Sequence, residues 1–324
     1  MPVHLNGQNT TESQPTSPLD TADRPIDLAK LSRRSFIAAC LAGCSQAALP
    51  SVPPMAPEPL AKKPERRGET WALLADPHIS RKLDRKFGLS CMADNLRRVV
   101  DEVGPLAPDQ LLVNGDIGYM HGRTEDYAAF LELVSPLRAI PTHLTLGNHD
   151  HRGRFVQSLP VAHDVAVSEK AVSSQRINDH RWLFLDSLDE THSVRGSLGP
   201  AQRAWLENCL NDDPHTPTIL CLHHNPDLSP VGLTDYDEFE RLVLPRRQVK
   251  LVLFGHTHIF RTWQTDGLHF VNLPAIGFRL RPLTSLGWMA ANVEPDRAWL
   301  TFHGITGKEL ENGVEKELRW RSYS

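Results

Sequence analysis

The sequence predicts an α/β fold on a parallel sheet, and three observations predict it. Short apolar runs alternate with amphipathic stretches of helical spacing in the order β-α-β-α-β. The last third changes to closely spaced β-like segments with Asp266-Gly267 and Pro295-Asp296 at their turns, which reads as an antiparallel sheet added to the α/β half. Neither an internal repeat nor an interior linker interrupts the pattern, so one compact domain is expected over residues 69–324.

Each element has its own warrant. Trp71 to Ala75 is a short apolar run ending in Asp76 and reads as a buried strand. Leu89, Met92, Ala93, Leu96, Val100 and Val103 fall at helical spacing, and Gly104-Pro105 stops that helix. Leu111 to Val113 is the next strand and ends in Asn114-Gly115-Asp116. Residues 124–137 place Tyr127, Phe130, Leu131 and Val134 on one helical face. His143 to Leu146 is a third strand, ending in Gly147-Asn148-His149-Asp150. Trp182 to Asp186 is a strand, Pro200 to Leu210 a helix with proline at its start, and Thr218 to Leu222 a strand ending in His223-His224. Val249 to Phe254 ends in Gly255-His256-Thr257-His258. Segments near 260–264, 268–273, 286–293 and 297–303 complete the reading.

Composition excludes several classes. Of 324 residues, 40% are hydrophobic and 23% charged, which a disordered chain does not show. A net charge of −4 argues against specific nucleic-acid binding, which needs a basic surface. Five scattered cysteines do not make a disulfide framework. Cys91, Cys209 and Cys221 read as buried thiols, and Trp182, Trp205 and Phe254 as core.

The first 68 residues hold 10 of the 25 prolines and read as non-globular. Within residues 1–49, Arg33-Arg34 leads into the apolar segment Phe36 to Gly43, which resembles a twin-arginine export signal. Ile37 and Ala38 depart from that signal's usual Leu-Lys. Leu41-Ala42-Gly43-Cys44 resembles a lipobox, which implies a lipidated Cys44 and membrane association. The Pro-rich residues 50–68 would then be a tether. The resemblance implies an exported, periplasmic or membrane-anchored protein. The alternative is a cytoplasmic protein whose residues 32–49 form a short amphipathic helix with a chance arginine pair.

The chain has 16 histidines, and their placement matters. Five apolar strands end in ligand-type residues, where the sites of open α/β sheets form. These supply Asp76, His78, Asp116, Asn148, His223, His256 and His258, a nitrogen and oxygen set without thiolate. Such a set suits iron, manganese or zinc. It is too large for one tetrahedral ion and sufficient for two if a carboxylate bridges. Residue-x-residue spacing lets Asp76 and His78, or His256 and His258, face one way. Glycines before Asp116, Asn148 and His256 permit tight backbone turns beside a crowded site.

The ordered motifs Asp-x-His, Gly-Asp, Gly-Asn-His-Asp, His-His and Gly-His-Thr-His resemble those of the calcineurin-like metallophosphoesterases over about residues 70–275. The run Gly-x-Leu-Gly-Pro-x-Gln-x-x-Trp-Leu from Gly196 is similar to the bacterial class III cyclic-nucleotide phosphodiesterase branch. Asn114 stands where Thr or Ser often precedes Gly-Asp, and His223-His224-Asn225-Pro226 departs from His-His-Pro-Pro. The resemblance implies an αββα sandwich with a dinuclear metal site at the carboxyl ends of the strands. It implies that Asp76, His78 and His258 hold one metal, that Asn148, His223 and His256 hold the other, and that Asp116 bridges. It assigns His149 to the leaving group, Asp150 to orienting His149 or a neighbouring ligand, and a metal-bridging hydroxide to the attack on phosphorus. His224 takes a substrate-facing or supporting role, whereas His151 reads as a surface residue and His121 and His192 read mainly as residues outside the chemistry.

The expected activity is hydrolysis of a small phosphate ester, a diester ahead of a monoester. A non-catalytic phosphate- or metal-binding envelope protein is the rival, and it predicts a missing ligand or a replaced His149. The ligand types suit Fe, Mn and Zn alike, and the sequence leaves the physiological ester and the oligomeric state open.

Overall fold

The structure is a computed structural model that describes residues 67–161, 167 and 169–323. The expected export leader and nearly all of the Pro-rich tether, with Arg33, Arg34 and Cys44, lie outside the described residues. The chain begins with β1 (Glu69–Leu74), a small hairpin of β2 (Lys86–Phe87) and β3 (Ser90–Cys91), α1 (Met92–Leu106) and β4 (Gln110–Asn114). Then come α2 (Thr124–Val134), a 3-10 turn (Ser135–Leu137), β5 (Thr142–Thr145), α3 (Arg152–Ser158), β6 (Ser173–Ile177) and β7 (His180–Phe184). The second half holds α4 (Gly199–Asp212), β8 (Thr218–Cys221), α5 (Tyr236–Val243), β9 (Val249–Phe254), β10 (Arg261–Thr265) and β11 (Leu268–Asn272). It closes with β12 (Gly287–Glu294), β13 (Arg297–Gly304) and β14 (Glu315–Arg319).

Two six-stranded sheets carry the fold, ordered β14-β13-β12-β1-β4-β5 and β10-β11-β9-β8-β7-β6. Strands β1, β4 and β5 run parallel, as do β7, β8, β9 and β11. Side-chain alternation along each central strand decides the layering. Trp71, Leu73 and Leu112 from the first sheet meet Trp182, Phe184, Ile219, Cys221, Leu251 and Leu253 from the second in one apolar cluster. The rings of Trp71 and Trp182 stack at 3.8 Å inside it. The alternate residues Ala72, Leu74, Leu111 and Val113 pack against α1 and α2. On the other side, Leu183, Leu220, Leu222, Val252 and Phe254 pack against α4 and α5. The result is an αββα sandwich. Strands covered on both faces explain why the sequence shows continuous apolar runs there.

Four expectations need correction. The first helix starts at Met92, not Leu89, because Leu89 lies fully exposed in the turn between β2 and β3. That helix also runs through Gly104-Pro105 to Leu106, since a proline in the last turn removes one hydrogen bond without blocking the turns before it. The C-terminal strands are not one antiparallel sheet. β12, β13 and β14 join the first sheet antiparallel, whereas β11 is parallel to β9 in the second. Cys209 and Cys221 are buried as expected, while Cys91 is only half-buried. Trp320 packs on its own domain, donating through Nε1 to His180 Nε2 at 3.2 Å.

Candidate metal centre

The strand-end residues converge. Asp76, His78 and His258 bring ligand atoms within 4.8 Å of one another, and so do Asp116, His223 and His256, and also His78, Asp116 and His149. Asp76, His78, Asp116, Asn148, His223 and His258 are buried, and His149 and His256 are half-buried. The Asp116 carboxylate links the groups, with Oδ2 at 3.5 Å from His78 Nε2 and 3.4 Å from His223 Nε2. Asp76 Oδ1 lies 3.4 Å from His258 Nε2 and 3.8 Å from His223 Nε2.

Backbone geometry gathers these side chains. The loop after β1 pairs with the loop after β4: the amides of Asp76, His78 and Ile79 donate to the carbonyls of Gly115, Asp116 and Ile117 at 3.2, 2.9 and 2.8 Å. Asp76, His78, Asp116, His256 and His258 all adopt left-handed φ, five of the nine non-glycine residues that do so among the described residues. Such conformations cost on the order of 1–3 kcal/mol each and persist where the surroundings over-determine them. Two glycines make room. Gly115 sits at φ +81° with the His223 ring where a Cβ would stand, and a Cβ on Gly147 would collide with the Asp116 carboxylate.

Hydrogen bonds aim the imidazoles. Nδ1 of His78, His223 and His258 faces the carbonyls of Tyr119, Asn114 and Phe278 at 3.3, 3.1 and 2.7 Å. A carbonyl only accepts, so Nδ1 carries a proton and Nε2 is left pointing inward. His256 donates its amide to the Asp76 carboxylate at 3.2 Å, and its Nε2 faces the Val194 carbonyl at 3.0 Å. The loops are then fastened by Asp150. It accepts from the amides of Ile117, Gly118 and Gly147 at 3.2, 2.9 and 2.9 Å and from the Tyr127 hydroxyl at 3.2 Å. Asp150 therefore ties the Asp116 loop to the Asn148 loop, and none of its hydrogen bonds among the described residues goes to the His149 ring.

The residues fit a metal. Nε2 of His78 and Nε2 of His258 face each other at 3.1 Å, and two lone pairs at that distance repel unless a cation or proton lies between them. Two fully buried carboxylates, Asp76 and Asp116, have no lysine or arginine partner among the described residues, although buried charges require compensation. Asn148 Oδ1, His149 Nδ1 and His223 Nε2 are buried here without a hydrogen-bond partner. Burial pushes His78 down to about 3 and His256 to about 4, so both are neutral at pH 7, the form that ligates metal. Burial alone would also lower His223, but Asp116 and Asp76 outweigh it and raise it to about 9. Burial works against ionised carboxylates too, yet the neighbouring imidazoles hold Asp76 and Asp116 below the usual carboxylate range.

Several residues at the centre carry no motif of their own. Ser187 Oγ accepts the amides of His223 and His224 at 3.2 and 3.1 Å and meets His224 Nδ1 at 2.9 Å. Asn114 donates to the Leu222 carbonyl at 2.9 Å and accepts from Thr145 at 2.7 Å, so the residue that departs from the family pattern bridges the two sheets. His192 stands nearer the centre than its sequence context suggests. Its amide donates to the Asn148 carbonyl at 2.7 Å, and its ring lies edge-on to His149 at 5.7 Å and to His121 at 4.3 Å. His151 instead caps α3, accepting the Arg154 amide at 3.3 Å.

Known proteins are similar to this chain in sequence and fold. The calcineurin-like phosphoesterase family profile matches residues 71–260. A "Probable cyclic nucleotide phosphodiesterase" of Synechococcus sp. is 30% identical over 200 residues, 60% of this chain and 75% of the relative. The 3′,5′-cyclic adenosine monophosphate phosphodiesterase CpdA of Pseudomonas aeruginosa is 25% identical over 251 residues, 75% of this chain and 88% of the relative. A dimetal phosphatase from Danio rerio shares the fold at a TM-score of 0.63 and 16% identity, covering 78% of this chain and 99% of that one. The purple acid phosphatase PPD1 of yellow lupin does so at 0.58 and 14%, covering 80% and 55%. The chain belongs to the calcineurin-like phosphoesterase family, in the branch that holds the bacterial cyclic nucleotide phosphodiesterases.

Proposed function

We propose that this phosphoester hydrolase cleaves small phosphodiesters at a centre of two metal ions, with cyclic nucleotides the first substrates to try. The observation that carries the reading is the position of Asp116 Oδ2, 3.5 Å from a histidine of one ligand group and 3.4 Å from a histidine of the other. Asp76, His78 and His258 would hold one ion, Asn148, His223 and His256 the other, and Asp116 would contact both. When bound, the ions would offset the charge of the ester and supply an activated water at neutral pH. His149, whose amide is fixed to Asp116 Oδ1 at 2.8 Å, holds its ring beside His78 at 5.0 Å and would give a proton to the departing oxygen. The names of the bacterial relatives support diesters over monoesters. The Arg33-Arg34 leader supports action outside the cytoplasm, and intact mass showing Met1 to Cys44 retained in mature protein from a bacterial host overturns that part.

The test is hydrolysis of bis(p-nitrophenyl) phosphate against p-nitrophenyl phosphate by protein stripped of metal and refilled with manganese. Faster diester turnover supports the proposal, monoester preference makes the protein a phosphatase, and no turnover with metal bound favours a binding module.

A further inference from the structure

We propose that a cationic pocket beside the metal centre takes a second anionic group of the substrate, so that the preferred esters carry a phosphate besides the one cleaved. The inference rests on the phosphodiester reading above and names a substrate class within it.

The pocket encloses about 330 Å³ and is lined by Arg81, Lys82, Arg85, Arg123, Tyr119 and His121. Four cations face it in a chain of net charge −4. The carboxylate in its wall, Asp126, is buried and accepts the Arg81 amide at 2.8 Å, so it is engaged in holding the loop. None of the four cations has an ion-pair partner among the described residues. The larger cavity of about 1060 Å³ beside α3 differs, because its cations are satisfied from within. There Arg152 Nε pairs with Asp186 at 2.5 Å, and Lys170 Nζ donates to the Leu188 and Ser197 carbonyls at 2.6 and 2.9 Å.

Arg85 supplies a second observation. Its guanidinium lies 4.8 Å from the centroid of the Tyr119 ring, and its Nε is buried without a hydrogen-bond partner. A buried N–H donor left unpaired is costly, and a shift of the Arg85 guanidinium toward an anion in the pocket would relieve it. The pocket shares walls with the centre. The Tyr119 carbonyl faces His78 Nδ1 at 3.3 Å, and the His121 ring abuts His192, which abuts His149. A substrate spanning both sites places its cleaved phosphate at the metal ligands and its second phosphate against Arg85 and Arg123. A terminal phosphate carries about −1.5 to −2 charge at pH 7 and three acceptor oxygens, against the single charge of a diester.

The experiment compares adenylyl-(3′→5′)-adenosine with and without a 5′-terminal phosphate, using the manganese-loaded protein and the double variant Arg85→Met, Arg123→Gln. Methionine keeps an unbranched side chain of similar reach in place of the guanidinium over Tyr119, and Arg123 is exposed, so the fold is spared. The expected kcat/KM ratio favours the phosphorylated dinucleotide by about 10- to 100-fold, the range of one charge-assisted hydrogen bond, and falls to within about two-fold in the variant. A ratio near one in the native protein, or one that survives in the variant, overturns the inference. Calorimetric binding of the same pair reads the pocket without turnover. Discrimination in binding with no hydrolysis of any diester sinks the phosphodiesterase reading and keeps the pocket. Equal binding with brisk diester hydrolysis does the reverse.

Discussion

The same strands end in two different chemistries. Between the sheets, Trp71, Leu73, Leu112, Trp182 and Leu253 pack as apolar side chains on regular backbone. Two to four residues beyond the ends of β1, β4 and β9, Asp76, His78, Asp116, His256 and His258 adopt left-handed conformations, and buried nitrogen and oxygen atoms stand unpaired. The core keeps to the rules of packing with few exceptions, such as the unpaired Nε1 of Trp71, whereas the strand ends break several rules together. Rules broken together at one place mark a functional site, and the stability that tolerates them comes from the apolar layer behind. The two regions should therefore respond to substitution in opposite ways.

The largest separation is expected from His149→Ala. Diester turnover should fall by about 10²- to 10⁴-fold, the usual worth of a general acid, with little change in thermal unfolding. A variant that unfolds early instead would make His149 a structural residue. Trp182→Ala is the mirror case. Loss of a fully buried ring stacked on Trp71 should cost about 3–5 kcal/mol and lower the melting temperature by on the order of 10 °C. Turnover per folded molecule should be unaffected below the transition.

Asp150→Asn sharpens the boundary, because Asp150 touches both regions. An amide nitrogen would face an amide donor where a carboxylate oxygen now accepts one. Manganese affinity should drop about 10- to 100-fold, as for other groups that orient ligands, and calorimetric titration reads it. Unchanged affinity would mean that the ligand loops hold their shape without this tie.

The smallest effect concerns histidines remote from the centre. Burial pushes His143 and His180 down to about 4. Between the unfolded value near 6.5 and about 4, the unfolded chain binds protons that the folded chain refuses, so stability falls as pH falls through that window and levels off below it. The loss is on the order of 2 kcal/mol per histidine. Urea unfolding at pH 7 and pH 4.5 should show it, and His143→Gln should remove part of it.

Legibility in the sequence followed the same divide. Strands covered on both faces announce themselves as apolar runs, and that signal places β1, β4, β5, β7, β8 and β9 but not the parallel pairing of β11. The candidate ligand residues are readable because each lies in the segment that follows such a run. The small hairpin, α3, α5, β6 and β14 were missed, being short or exposed on one side. The contribution of Ser187, the carbonyl partners of the histidines and the nearness of His192 were also hidden. They depend on contacts between segments distant in sequence, such as Ser187 with His224 and His192 with Asn148. The sheet assignment of the C-terminal strands failed for a similar reason, since local alternation does not say which sheet a strand joins.

The central claim is that two metal groups adjoin at Asp116. Titration of the metal-stripped protein with manganese tests it most directly, followed by calorimetry and by metal analysis of the recovered protein. The account predicts two ions per chain in the native protein and one in His258→Ala, with diester turnover lost when either ion is missing. A single ion in the native protein, or two ions that survive both His258→Ala and Asp116→Asn, would contradict it.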